Sequence, residues 1–219
     1  MKNFLKKQGR LFISLLLMLT LGRFEAIDSS TYFINQANLL GPDQYTLFWN
    51  YTNTDITFKV VVKCTGCWIG FGLSPTGGMA NSDLIVAYKN QNGTVNFTNR
   101  FVGSANSLPM INPSQYWSML YYSQQNVSTT VIFTRKLVIC NTDHSINIVS
   151  GPQFVIFAWG TSFNTNNGYT DISYHSAKNR SSSSEPLIST LNANASLNMN
   201  QIQTQDFIVN VNCFPIVFN

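Results

Sequence analysis

From Tyr45 onward, apolar and polar side chains alternate along the chain. Tyr45-Thr-Leu-Phe-Trp49-Asn-Tyr51 and Ile56-Thr-Phe58-Lys-Val60-Val-Val62 carry aromatic and β-branched residues at period two, with Asn53-Thr54-Asp55 between them. They predict a strand, a turn and a strand. The stretch from Cys64 to Tyr88 predicts two more strands: an apolar run from Trp68 to Leu73, a Ser-Pro-Thr-Gly-Gly reversal, then Leu84 to Tyr88. Thr94 to Phe101 follows the turn Asn90-Gln-Asn-Gly93. Residues 103–113, with Ser, Asn and two prolines, predict a loop. Tyr116–Tyr122 and Thr129–Arg135 predict a hairpin around Gln124-Gln-Asn126, and Gln153–Trp159 a fully buried strand. Asn164–Gly168 and Lys178–Ser184 read as exposed loops, and Asp206–Val211 as one more strand or an extended tail.

No helical period persists, so the class is all-β. Nine or ten short strands with evenly spaced turn signals predict an antiparallel β-sandwich of immunoglobulin-like or jelly-roll type. The chain has 219 residues, 44% apolar and 13% aromatic, enough for a real core. The pattern places one domain at about residues 40–190, after a short irregular lead at 27–39 and before a C-terminal extension at 191–219.

Residues 1–26 read as a secretory signal peptide. Lys2, Lys6, Lys7 and Arg10 form a positive start, Leu11 to Leu21 an apolar run, and Phe24-Glu25-Ala26 a cleavage region. The apolar run is too short to span a bilayer, which takes about 20 residues, and no later segment is long or apolar enough to try. Removing this peptide takes away five basic residues and one acidic one, leaving eight of each sign. The formal charge of +4 and the pI near 8.9 therefore belong to the targeting segment. That excludes a nucleic-acid partner argued from charge. Six Asn-x-Ser/Thr sequons, at Asn50, Asn92, Asn96, Asn126, Asn179 and Asn194, point to a glycosylated secreted or lumenal protein.

Four cysteines suit an oxidising compartment and admit three pairings. If Thr65-Gly66 makes a β-turn, Cys64 and Cys67 come within about 7 Å, which a disulfide can bridge. That pairing is the favoured one. Motifs for catalysis are absent: there is no Gly-x-Ser-x-Gly, no two-histidine metal motif, and no Gly-rich loop entering a helix. His144 and Ser145 are sequence neighbours in a loop and need have no common chemistry.

Several motifs, in order, resemble a DOMON domain, most closely the N-terminal domain of the dopamine β-monooxygenase family. They are Tyr45-x-Leu-x-Trp49, Trp68-Ile-Gly70-Phe-Gly72-Leu-Ser74-Pro75-x-Gly77-Gly78-Met79-x-x-x-Asp83, Phe133-Thr-Arg135-x-Leu-x-x-Cys140, Phe157-Ala-Trp159-Gly160 and Tyr174-His175-x-x-Lys-Asn-Arg180. In that family the DOMON domain precedes copper-binding catalytic domains. This chain has two histidines, His144 and His175, too few for a copper hydroxylase, so copper is not expected in it. Phe207–Val211 resembles the linker into the first copper domain, so a freestanding protein and a truncated monooxygenase both stay open.

The resemblance implies three further sites. Some DOMON domains are b-type cytochromes with Met/His axial ligands, and Met79 and His175 match those positions; packing is the competing role for Met79. In the monooxygenase branch an Asp at the position of Asp83 helps hold a cation, but Gln115 stands where a second Asp is expected, and hard cations favour several carboxylates. A turn or strand-end role for Asp83 competes. Cys140 resembles a family cysteine whose partner lies in the catalytic part; here it is free, paired with Cys213, or linked to a second chain in a disulfide dimer.

Two function classes follow. One is a secreted module that binds a small ligand, a glycan or a protein partner, is not catalytic alone and needs no cofactor. The other is a redox protein, either carrying haem or contributing to a copper-dependent monooxygenase.

Overall fold

The computed structural model describes residues 33–104, 107–140, 144–166 and 169–189, all within one compact unit that begins at Phe33. The predicted signal peptide, Asn194, Cys213 and the segment Asp206–Val211 lie outside the described residues. Thirteen strands run in the order β1 (Asn35–Leu40), β2 (Tyr45–Tyr51), β3 (Asp55–Val62), β4 (Trp68–Ser74), β5 (Ser82–Lys89), β6 (Val95–Val102), β7 (Met110–Ile111), β8 (Ser118–Gln125), β9 (Ser128–Lys136), β10 (Gly151–Gly160), β11 (Phe163–Asn166), β12 (Tyr169–Ile172) and β13 (Arg180–Ile188). One 3-10 turn, Ala177–Asn179, precedes β13. Among the described residues no helix is long and apolar enough to cross a membrane.

The strands build an antiparallel sandwich, as the alternation predicts. One sheet has the order β1-β2-β3-β9-β8, the other β13-β10-β4-β5-β6-β7, and β11 and β12 form a separate hairpin. The chain crosses between sheets after β3, β7 and β9. The β3-to-β4 crossing carries the Cys64–Cys67 disulfide, with Gly66 at φ +63°. Such a backbone angle suits glycine.

Period two puts Leu47, Trp49, Phe58, Val60 and Phe133 of one sheet against Ile69, Phe71, Leu73, Val155 and Phe157 of the other, all buried. Phe58, Phe71, Trp117 and Phe133 form an aromatic cluster with Phe58–Phe71 centroids 5.0 Å apart. Hydrogen bonds tie the sheets across this layer, among them the Tyr45 hydroxyl donating to the Gly70 carbonyl at 3.0 Å and Trp49 Nε1 to the Leu187 carbonyl at 2.9 Å.

Four elements depart from the sequence expectation. β1 lies in the predicted irregular lead, β7 inside the predicted 103–113 loop, the β11–β12 hairpin around the predicted Asn164–Gly168 loop, and β13 over the serine run predicted as a loop. β1, β7 and β13 are edge strands, paired on one side only. An edge strand needs few apolar residues because one flank faces water, so its hydrophobic signature is weak. In β13 only Leu187 is fully buried, and the serines are held by backbone pairing to β10.

Candidate functional site

Strands β4 and β5 are buried on both faces, which means that something covers the outer face of the six-stranded sheet. Cross-strand register gives the layout of that face, since directly paired residues project to the same side. One row runs Thr98, Val86, Gly70, Ala158, Arg180, and the next Arg100, Leu84, Gly72, Ile156, Ser182. Glycine occupies the centre of both rows. At Gly72 the space is filled: an added Cβ would lie 2.5 Å from the Asp83 carbonyl oxygen and collide with Leu84. At Gly70 it is open, with no atom nearer than 3.7 Å. The missing side chain at Gly70 and the short one at Ala158 leave a hollow.

That hollow is the floor of a pocket of about 440 Å³, within the size range of small-ligand sites. Trp68, Leu84, Val86 and Ile156 line it from the sheet. The loop after β4 brings Gly77, Gly78 and Met79; the loop before β7 brings Leu108; and the segment after β12 brings Tyr174 and His175. The two residues singled out for haem ligation thus line the same pocket, though they come from distant parts of the chain. Met79 packs on the outer apolar cluster of Trp68, Leu84, Val86, Tyr88, Val102, Ile156 and Ile172. His175 lies with its ring centroid 6.3 Å from that of Trp68, and its Nδ1 is buried without a hydrogen-bond partner. Burial and then the positive charge of Arg180 hold its pKa below the ordinary histidine value, and the backbone groups of His175 and Ser176 offset this only in part.

An ion pair fastens the cover. Arg100, buried at 3% exposure on β6, reaches Asp171 of β12 through two bonds: Nη2 donates to Oδ1 at 2.7 Å and Nη1 to Oδ2 at 3.1 Å. The same guanidinium donates to Thr98 Oγ1 and the Pro109 carbonyl. Burial opposes the charge on Asp171, but Arg100 and the Ile172 N–H prevail and its pKa is lowered. Ile172 and Phe163 of the hairpin then press on the outer cluster. Neither Arg100 nor Asp171 has a sequence motif to announce the pair.

Asp83 lies elsewhere, on the inner face of β5 at one end of the interlayer, fully buried. Its Oδ2 accepts from Arg135 Nη1 at 2.7 Å and the Ile146 N–H at 3.2 Å; its Oδ1 accepts from Trp117 Nε1 at 3.0 Å and Asn99 Nδ2 at 3.1 Å. The Arg135 guanidinium lies 5.2 Å from the Tyr116 ring centroid and 4.8 Å from that of Trp117. Gln115 makes no hydrogen bond to Asp83: its side chain accepts from the Asn99 N–H and donates to the carbonyls of Asn99 and Asn112. Among the described residues no group of three or more His, Cys, Asp or Glu side chains could hold a metal. His144 stacks on Phe101 with centroids 3.6 Å apart, away from the pocket on the outer face. Cys140 is disulfide-bonded.

These features define a two-sheet β-sandwich with a covered apolar pocket on the outer face of one sheet. The chain belongs to the DOMON family: the model of the DOMON domain matches residues 42–160. It is 31% identical over 119 residues to MOXD1 homolog 2 of Drosophila melanogaster and 30% identical over 113 residues to DBH-like monooxygenase protein 1 of Homo sapiens. Those alignments cover 53% and 48% of this chain but 15% and 18% of the relatives, so the chain corresponds to less than a fifth of their length. In fold it is similar to the cytochrome domain of Myriococcum thermophilum cellobiose dehydrogenase, with a TM-score of 0.50 and 15% identity over 65% of this chain and 76% of that one. The cytochrome b domain of pyranose dehydrogenase from Coprinopsis cinerea gives the same score and identity, covering 77% of that chain.

Proposed function

We propose that the chain is a ligand-binding DOMON module, not catalytic alone, whose ligand occupies the pocket on the outer face of the six-stranded sheet. The observation that carries this reading is the hollow over Gly70 and Ala158, beside a hairpin whose Ile172 lines the same pocket and which a buried arginine fastens. A sandwich of this kind has its main core between the sheets; a second apolar cluster and a cover on one outer face are what a ligand site requires. The test is native mass spectrometry of the protein as isolated. A co-purifying apolar molecule that is lost in Gly70→Leu supports the reading, and a ligand indifferent to that substitution refutes it.

A second reading, haem as that ligand, has its own support. Met79 and His175 share the pocket, and the buried Nδ1 of the imidazole has no hydrogen-bond partner of good geometry, so the ring is not committed to another side chain. The fold neighbours are named as cytochrome domains. A thioether and an imidazole are an axial pair suited to electron-transfer haem, which would supply one-electron chemistry. In this reading Met79 and His175 hold the iron, Gly70 and Gly78 leave room for the ring, and the β11–β12 cover excludes water. Titration with haemin should give a Soret band that Met79→Ala and His175→Ala each abolish; a band unchanged in both would end the haem reading.

Secretion and glycosylation belong to the same proposal. Asn92 and Asn126 sit exposed in hairpin turns, where a glycan meets no obstacle. Asn96 Nδ2, the atom a glycan would occupy, donates to the Tyr88 hydroxyl. Peptide mapping of secreted protein should therefore find Asn92 and Asn126 occupied ahead of Asn96.

A further inference from the structure

We propose that the outer-face pocket selects ligands with a flat apolar body and an anionic head, with Arg180 as the group that holds the head. This rests on the reading of the pocket as the ligand site and adds the charge of what enters it. Arg180 opens β13 directly opposite Ala158. Antiparallel partners project to the same face, so its side chain leaves the sheet on the pocket side, at the end of the row whose centre is the hollow over Gly70. Among the described residues it is the one permanently charged side chain that lines the pocket, and no described Asp or Glu lines it.

Among the described residues Arg180 forms no ion pair: the four salt bridges use Lys63, Arg100, Arg135 and Lys136. Asp171 of the hairpin is engaged by Arg100 on β6, at the far side of the sheet from β13. Apart from the His175 imidazole the rest of the wall is apolar or hydroxylic, with Ser107, Ser173, Ser181 and Ser182 as neutral hydrogen-bonding groups. An unpaired guanidinium beside an apolar floor is a site for a carboxylate or similar anion, which a guanidinium binds with charge-assisted hydrogen bonds. An amine entering the same pocket would be desolvated without a carboxylate to receive it and would face Arg180. The pocket's chemistry therefore favours aromatic acids and disfavours aromatic amines of the same size.

Isothermal titration of the full chain at low ionic strength with 2-naphthoate and 2-naphthylmethylamine tests this, since the two share a ring and differ in charge. The acid should bind at least about tenfold more tightly than the amine, and Arg180→Gln should remove the difference. Gly70→Leu, which fills the floor, should abolish binding of both. Equal binding of acid and amine, or a preference that survives Arg180→Gln, overturns the anion assignment while Gly70→Leu still blocks both probes. Binding that survives Gly70→Leu, or no binding of either probe, overturns the pocket as the ligand site and the assignment with it.

Discussion

Four donors converge on Asp83, and one of them is a guanidinium with no exposure of its own. A buried carboxylate satisfied in this way organises its surroundings; it has little left to offer a cation. Removing it would strand the Arg135 charge, whose pKa burial already lowers against the pull of Asp83. Asp83→Ala should therefore cost about 3–5 kcal/mol in urea unfolding, and calcium should leave the midpoint of the wild-type protein unmoved. A calcium-dependent rise would restore the cation site. The sequence marked Asp83 and Arg135 as motif residues, but nothing in it said that they meet, because two strands from different sheets bring them together. His175 makes a second prediction at this scale. Its folded pKa lies below the ordinary 6.5, so the folded protein binds fewer protons there than the unfolded chain. The stability it contributes is fully present above about pH 6.5 and declines as pH falls below that value. Thermal unfolding from pH 7.5 to 5 should show this decline, and His175→Gln should flatten it.

Strand β4 combines two glycines with opposite meanings. Gly72 is required by close approach, and Gly72→Ala would drive a methyl group into Leu84 and the Asp83 backbone. Its cost should be about 3 kcal/mol, the upper range for overpacking. Gly70→Ala, with ordinary contacts at 3.7 Å, should change stability by less than about 1 kcal/mol, and the contrast between the two in chemical unfolding checks the geometry. The sequence made both glycines conspicuous and could not rank them, since the ranking depends on which neighbours the register supplies. The same limit explains which strands were legible. β2, β3, β4, β5, β9 and β10 are paired on both sides and packed on at least one face, so their apolar period is strong. The Cys-Thr-Gly-Cys turn was legible because its geometry is local. β13 and the β11–β12 hairpin owe their form to the partners they lie on, and their Ser- and Asn-rich sequences carry little pattern of their own.

For the molecule as a whole, the question is how the outer face stays covered, since the hairpin over it joins the backbone ladder of neither sheet. Two things hold it. Ile172 and Phe163 pack on the outer cluster, with the Phe163 and Tyr88 ring centroids 5.3 Å apart, and Asp171 grips Arg100. The packing is replaceable by ligand or water, whereas the ion pair has one half buried and, if broken, would leave the guanidinium with only the neutral acceptors of Thr98 and Pro109. Asp171→Asn keeps the shape and removes the charge. Amide exchange across residues 161–176 should then accelerate while the protected amides of β4 and β5 keep their rates, and global stability should fall by only about 1–2 kcal/mol. Acid should do the same to the wild type. The lowered pKa of Asp171 means that the pair's contribution is present above the ordinary carboxylate value of 3.8 and is lost as pH falls through the lower folded value. Uniform acceleration in all strands would show instead that the pair supports the sandwich itself. No acceleration anywhere would show that apolar packing alone holds the cover, and the pocket would then open only as fast as Ile172 and Phe163 can leave the sheet.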